Sequence, residues 1–197
     1  MRKKQLQKIL NFIMDAEKLK CEMRHSWLSN GRQESVAEHT WRMSLMALLL
    51  AKELKTKVDI LKVIKMVIIH DIVEMEAGDI PAMTTLRNPQ IKELKNSNEL
   101  KAINNIKQFL GSSIGDEIYD LWQEFELKET PEAKFANALD KLEVQIQHNQ
   151  ASLDTWEDFE FDMIYMMDKH VQYDSTLVDL KELVVKDAEV NIENYRK

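Results

Sequence analysis

The sequence predicts an all-α fold, a bundle of helices, and three observations carry this. Glycine and proline are scarce, four and three in 197 residues, so the residues that punctuate tight turns and break helices are few. Apolar side chains recur at helical spacing through most of the chain. Hydrophobic residues make up 44 % and charged ones 31 %, a balance that fills a core and clothes the outer faces of long helices. Nothing in the chain reads as a sheet.

The elements follow in order. Leu6, Ile9, Leu10 and Ile13 mark a first helix over about 3–19. A loop over 20–34 carries the turn signal Asn30-Gly31. Ser35 and Glu38 form a capping box that opens a second helix, running to about Lys55. Asp59 caps a third helix that reaches about Ala77, where "GDIPA" ends it. The polar segment 86–110 is helical after Pro89, and the next helix covers about 114–127. Thr130 and Pro131, a cap followed by proline at the first helical position, start a helix to about Leu153. Helices near 158–170 and 175–194 close the chain. With neither a repeat nor a low-complexity linker, residues 1–197 read as one domain with the terminal helices packed on it.

Composition narrows the function classes. The net charge is −7, and no basic stripe interrupts it, so a nucleic-acid partner is not expected. Arg2, Lys3, Lys4 and Lys8 read as the solvated face of the first helix. The single cysteine, Cys21, leaves no internal disulfide, fits a reducing compartment and reads as a small buried side chain. The polar start lacks a signal-peptide pattern. Apolar runs such as Leu48–Ala51 and Met66–Ile69 are too short to span a bilayer. The expectation is a soluble cytoplasmic protein without a membrane partner.

Helix geometry exposes an anomaly. Val63, Val67, His70 and Glu74 share one face of the third helix, and Ile60, Ile64, Ile68, Asp71 and Met75 share the next. His39 lies in the seam of Val36, Met43, Ala47 and Leu50. Asp140 lies in the row Ala133, Ala136 and Val144. Each such histidine alone reads as a core residue bonded to a carbonyl, and each aspartate as a cap or salt-bridge partner. Together they bring two imidazoles and two carboxylates into apolar surroundings, where an ionised carboxylate without a partner is costly. A divalent cation compensates, and mixed N/O ligands favour Mn, Fe, Co, Ni or Zn over Ca.

"SVAEH", "HDIVEMEAGDIP" and "LDKLE" occur in that order over most of the chain. This set resembles the HD-domain phosphohydrolase superfamily, signature H…HD…D, in its 5′-deoxynucleotidase-like branch. The resemblance implies an all-helical HD-domain bundle in which His39, His70, Asp71 and Asp140 hold one divalent metal, with Mg as a further option. It implies that Glu74 serves as acid/base partner of the attacking water and that Asp79 contacts the sugar or positions that water. The backbone of Asp79, Ile80, Pro81 and Ala82 would line a nucleoside pocket. Arg24 would clamp the phosphate, and Trp27 would shape the pocket beside it. Two residues separate Arg24 from Trp27, whereas the two adjoin in the bacterial deoxynucleotidases, and "AMTTLRN" after Pro81 also departs from the pattern.

The implied reaction is hydrolysis of nucleoside or deoxynucleoside 5′-monophosphates to nucleoside and phosphate, by a homodimer. Two alternatives stand beside it: an HD hydrolase acting on an alarmone, cyclic nucleotide or triphosphate, and a non-catalytic helical metal-binding protein. Other side chains read more plainly. His25 reads as an exposed loop histidine, His148 and His170 as structural or exposed, and Lys141 as a partner of Asp140 or of an anion. Glu143 reads as a brace for a ligand helix, Met163, Met166 and Met167 as core filler or a dimer seam, and Asp154 to Asp162 as an acidic helix edge. No glycine-rich phosphate loop occurs.

Overall fold

The structure, a computed structural model, describes residues 2–195, with the side chains of Ala82, Met83 and Ser112 outside the description. It is all-α apart from one two-stranded antiparallel sheet. Helix α1 spans Arg2–Asp15 and α2 spans Lys18–Cys21, followed by β1 (Met23–Trp27) and β2 (Gln33–Ser35). Then come α3 (Val36–Leu50), α4 (Ile60–Ile69), α5 (Glu74–Ala77), α6 (Ala82–Arg87) and α7 (Pro89–Leu110). The chain continues with α8 (Ser112–Leu127), α9 (Pro131–Gln150), α10 (Glu160–Met163), α11 (Asp168–Val171) and α12 (Ser175–Tyr195).

Local signals set most helix starts. Ser35 Oγ accepts from the Glu38 N–H while the Glu38 carboxylate accepts from the Ser35 N–H, which closes the capping box of α3. Asp59 accepts from the N–H groups of Leu61 and Lys62 at the start of α4. Thr130 accepts from the Ala133 N–H, with Pro131 in the first turn of α9.

The core forms where α3, α4 and α9 meet, with α8, α11 and α12 packed around them. Met43, Ala47, Val63, Met66, Val67, Phe135, Leu139 and Leu142 are fully buried there, each large side chain contributing about 1.5–3 kcal/mol. A second cluster, with Ile69, Val73, Ile103, Leu110 and Trp122, seats the α4–α5 junction on α7 and α8. No helix among the described residues is long and apolar enough to cross a membrane.

Several sequence expectations are corrected. The 20–34 loop contains the β1–β2 hairpin, turned at Gly31 with φ +82. Its strands are short and lack apolar alternation, so backbone pairing rather than side-chain pattern defines them. The first helix breaks after Asp15 into α1 and α2, and Leu6, Leu10 and Ile13 are exposed. The second helix stops at Leu50, short of Lys55. The third breaks after Ile69 into a turn before α5. Helix α6 stands where no helix is expected, and the segment 151–171 is a series of short turns and helices. There Trp156 and Glu160 are buried, so Asp154–Asp162 is no simple acidic edge. Cys21 is exposed, and His25 is half-buried in β1.

Candidate metal centre

Three long helices deliver the ionisable side chains. The capping box fixes the start of α3, and His39 follows within its first turns, fully buried. His70 and Asp71 stand where α4 gives way to the turn before α5. Asp140 sits midway along α9, in its buried row. Packing of α3, α4 and α9 on one another draws the four together. His39 Nε2 lies 3.4 Å from Asp140 Oδ1 and 4.0 Å from Asp71 Oδ2. His70 Nε2 lies 3.0 Å from the same Asp71 oxygen. Ligand atoms of His39, His70 and Asp71 all fall within 4.8 Å of one another, and Asp140 joins through His39.

Both imidazoles are oriented by their other nitrogen. His70 Nδ1 lies 2.7 Å from the Val67 carbonyl, and His39 Nδ1 is hydrogen-bonded to the Glu143 carboxylate. Carbonyls and carboxylates only accept here, so each Nδ1 donates, which leaves Nε2 as the ring atom turned to the cluster and free to ligate once it carries no proton. Both Nε2 atoms are buried without a hydrogen-bond partner. Buried polar atoms are seldom left so. The spacing suits a cation with bonds of about 2.1 Å, whose neighbouring ligands stand about 3 Å apart. The donor set, two imidazoles and two carboxylates, therefore fits a divalent metal.

The electrostatics point the same way. Asp71 is held well below the usual carboxylate range, because His70, Arg24 and His39 outweigh its burial. Asp140 is likewise lowered, Lys141 and His39 outweighing burial; Lys141 Nζ lies 2.8 Å from its Oδ2. Both carboxylates thus stay ionised. His39 is pushed up to about 9: burial and Arg24 oppose this, and Glu143 with Asp140 overcomes them. A proton takes up the charge demand that a cation would otherwise meet.

A second group, Glu34, His39 and Glu143, also lies within ligand range; arginines offset part of its charge, while Glu34 Oε2 lacks a hydrogen bond and burial with Glu143 pushes Glu34 up to about 7. Arg42 Nε is 2.6 Å from Glu143 Oε1 and Arg42 Nη2 is 3.3 Å from Glu34 Oε1. Arg24 Nε approaches Glu34 Oε2 at 3.9 Å. This is a bracing layer behind His39.

Arg24 projects from β1 so that Nη1 reaches Asp71 Oδ2 at 3.2 Å. Burial alone would lower its pKa, yet Asp71, Asp79, Asp140 and Glu74 raise it, so the guanidinium stays charged. Glu74 is 4 % exposed, its Oε2 is buried without a partner, and burial with the charges of Asp71 and Asp79 pushes it up to about 10. Asp79 is raised as well, by burial first and then by Asp71, against the pull of Arg24. Gly78 turns the chain there with φ +74, which lets the Asp79 N–H donate to Glu22 Oε1 at 2.9 Å.

Trp27 meets His25 edge-on, ring centroids 4.8 Å apart, and its carbonyl accepts from Gln147 Nε2. Ile80 is half-buried, Pro81 is exposed, and Ala82 opens α6. Sequence reasoning missed Glu34, Arg42, Glu22 and Lys95. Arg42 stands three residues after His39, on the same side of α3, a usable signal. Lys95 sits in the polar stretch of α7, where nothing in the sequence distinguishes it, and is raised by Glu99, Glu74 and Asp79 against its burial.

The HD-domain family model matches residues 16–184. The 5′-deoxynucleotidase HDDC2 of Dictyostelium discoideum is 37 % identical over 145 residues, covering 70 % of this chain and 74 % of its own. The Xenopus laevis protein of the same name is 33 % identical over 141 residues, 71 % of this chain and 67 % of its own. A crystal structure of a "predicted metal-dependent phosphohydrolase" from Magnetospirillum magnetotacticum MS-1 superposes with a TM-score of 0.80 at 30 % identity, covering 95 % of this chain and 96 % of that one.

Proposed function

This chain belongs to the HD-domain family, and from that premise we propose that it is a divalent-metal-dependent phosphohydrolase. It removes the phosphate of nucleoside or deoxynucleoside 5′-monophosphates, giving nucleoside and inorganic phosphate. One observation carries the reading: ionisable side chains from three helices converge, with the Nε2 atoms of His39 and His70 buried beside carboxylate oxygens without a hydrogen bond to them. The names of the relatives supply the substrate class. The chain is read as one HD domain with its terminal helices packed on it.

His39, His70, Asp71 and Asp140 hold the cation, for which Mn, Co, Fe, Ni, Zn and Mg are the candidates. Bound there, it supplies positive charge to the phosphate oxygens and makes water a better nucleophile. The chain's own residues do the rest, and phosphoryl transfer asks mainly for positioning and charge. Arg24, charged and three residues ahead of Trp27, grips two phosphate oxygens with its fork. Glu74, one turn beyond His70 and raised to about 10, holds or passes a proton at its Oε2 beside the attacking water. Asp79 contacts the sugar or steadies that water. Trp27 and the backbone of 79–82, through Ile80, Pro81 and Ala82, bound the nucleoside side. The protein is read as cytoplasmic and as a homodimer, the dimer being supported by the exposed row Trp41, Leu45, Leu48 and Leu49 along α3.

The test strips the metal with a chelator, restores Mn, Co, Mg or Zn singly, and measures phosphate release over a nucleotide panel. Release from monophosphates, restored by metal and abolished in Asp71→Ala, is the expected result. Turnover only of cyclic nucleotides, alarmones or triphosphates overturns the substrate class. Metal binding without any turnover leaves a non-catalytic protein. Equilibrium sedimentation of the same samples reads the dimer.

A further inference from the structure

We propose that the cavity between β1, the α6–α7 junction and the segment before α10 receives the nucleobase of the substrate, with the Arg87–Phe159 pair as its stacking wall. The inference rests on the nucleotide reading above and adds residues to it. The cavity measures about 450 Å³ and is bounded by His25, Pro81, Arg87, Asn88, Glu157 and Phe159. That volume lies in the range of small-molecule sites.

Chain continuity ties the cavity to the phosphate end. His25 directly follows Arg24, and Pro81 stands two residues beyond Asp79. Consecutive Cα atoms are about 3.8 Å apart, so the backbone of this wall adjoins that of Arg24 and Asp79, and Trp27, placed above on the nucleoside side, meets the His25 ring edge-on. A nucleotide whose phosphate lies on Arg24 directs its base away from the carboxylate cluster, past Pro81, into this space.

The wall chemistry suits a base. The Arg87 guanidinium carbon lies 5.2 Å from the centre of the Phe159 ring, on its face. Aromatic rings and guanidinium planes are the surfaces on which unpaired bases stack. Asn88 Oδ1 is occupied by the N–H groups of Gln90 and Ile91 at the start of α7, which leaves its amide NH2 as a donor. His25 Nε2 is buried without a hydrogen-bond partner, 3.5 Å from both Glu157 Oε1 and Glu160 Oε1. Donor and acceptor groups thus stand on the wall of a partly apolar cavity. The Glu157 carboxylate on the wall disfavours a second phosphate as occupant.

The experiment separates the base site from the reaction. The metal-loaded full chain is dialysed to equilibrium against each of the four unphosphorylated 2′-deoxynucleosides. The same protein is assayed on deoxynucleoside 5′-monophosphates and on 2-deoxyribose 5-phosphate, which lacks a base. Phe159→Ala is expected to weaken nucleoside binding about tenfold, the scale of one base–aromatic stack. It should lower the ratio of kcat/KM for monophosphate over 2-deoxyribose 5-phosphate by a similar factor. Arg87→Ala, at an exposed position, should lower the same ratio. A wild-type protein that binds none of the four nucleosides, or variants that leave both readouts unchanged, overturn the inference even if monophosphates are hydrolysed. Nucleoside binding lost in both variants, from a protein that hydrolyses no phosphomonoester, leaves the base site standing and removes the proposed reaction.

Discussion

His39 shows how much one residue depends on its neighbours. Its Nε2 faces Asp140 and Asp71, its Nδ1 is taken by Glu143, and Glu143 is in turn fixed by Arg42. Such outer partners set the tautomer and aim of a ligating imidazole. Glu74 allows a sharper test, through pH. Its carboxyl sits near 10, driven first by burial and then by Asp71 and Asp79, against about 4.3 in an unfolded chain. Between those values the folded state holds a proton that the unfolded state has released, so this residue makes stability fall as pH rises. Glu74→Gln keeps the shape of the protonated side chain and removes that dependence. In the presence of a chelator, urea unfolding should find the variant more stable than wild type at pH 8, with the gap closing toward pH 4.5. A gap that widens toward acid would refute the buried, protonated Glu74. At this scale the sequence was legible wherever an ionisable group interrupted an apolar row, as His39, His70 and Asp140 do. Glu34 and Arg42 interrupt nothing, and their burial is created by the fold.

Elements were legible where their signals are local. The Ser35–Glu38 box, the Asp59 cap and the Thr130-Pro131 start each act within three or four residues, and the structure uses all of them. Asn30-Gly31 marks the turn of the hairpin, but the pairing of β1 with β2, the break after Ile69 and the broken segment 151–171 have no such local cause. Packing decides them: the turn at 70–73 seats Ile72 and Val73 on the α7–α8 pair while His70 stays in the seam with α9. That pair depends on close approach. A Cβ on Gly115 would stand 2.4 Å from the Lys107 carbonyl oxygen, one helix backbone against the other. No side chain can yield there, so Gly115→Ala must push α8 away from α7. Overpacking of this kind costs about 1–3 kcal/mol, and urea denaturation should show the loss. Because the same pair supports the turn that carries Asp71 and Glu74, cation affinity should weaken in parallel. Unchanged stability in Gly115→Ala would mean that the helices are not in contact at that point.

Across the whole molecule, His39, the adjacent pair His70-Asp71, and Asp140 are far apart in sequence and meet only in the folded state. The unfolded chain offers no comparable site, so a bound cation acts on the global equilibrium. A ligand that binds only the native state at about 1,000 times its dissociation constant stabilises it by about 4 kcal/mol. For a chain of this size each kcal/mol moves Tm by roughly 2–4 °C. Saturating Co or Mn should therefore raise Tm by roughly 8–16 °C over the chelated protein, on calorimetric scans of both. His39→Ala and Asp140→Ala lie on different helices, α3 and α9, yet each should abolish the rise. Each truncation also lowers the cation-free Tm by its own cost, so the diagnostic quantity is the metal-dependent increment within each variant. Were Asp140→Ala to keep the full increment while His39→Ala lost it, the cation would rest on His39, His70 and Asp71 alone. A site closed by α9 requires both increments to vanish, because Asp140 is the ligand that α9 supplies, while Glu143 of the same helix only orients His39.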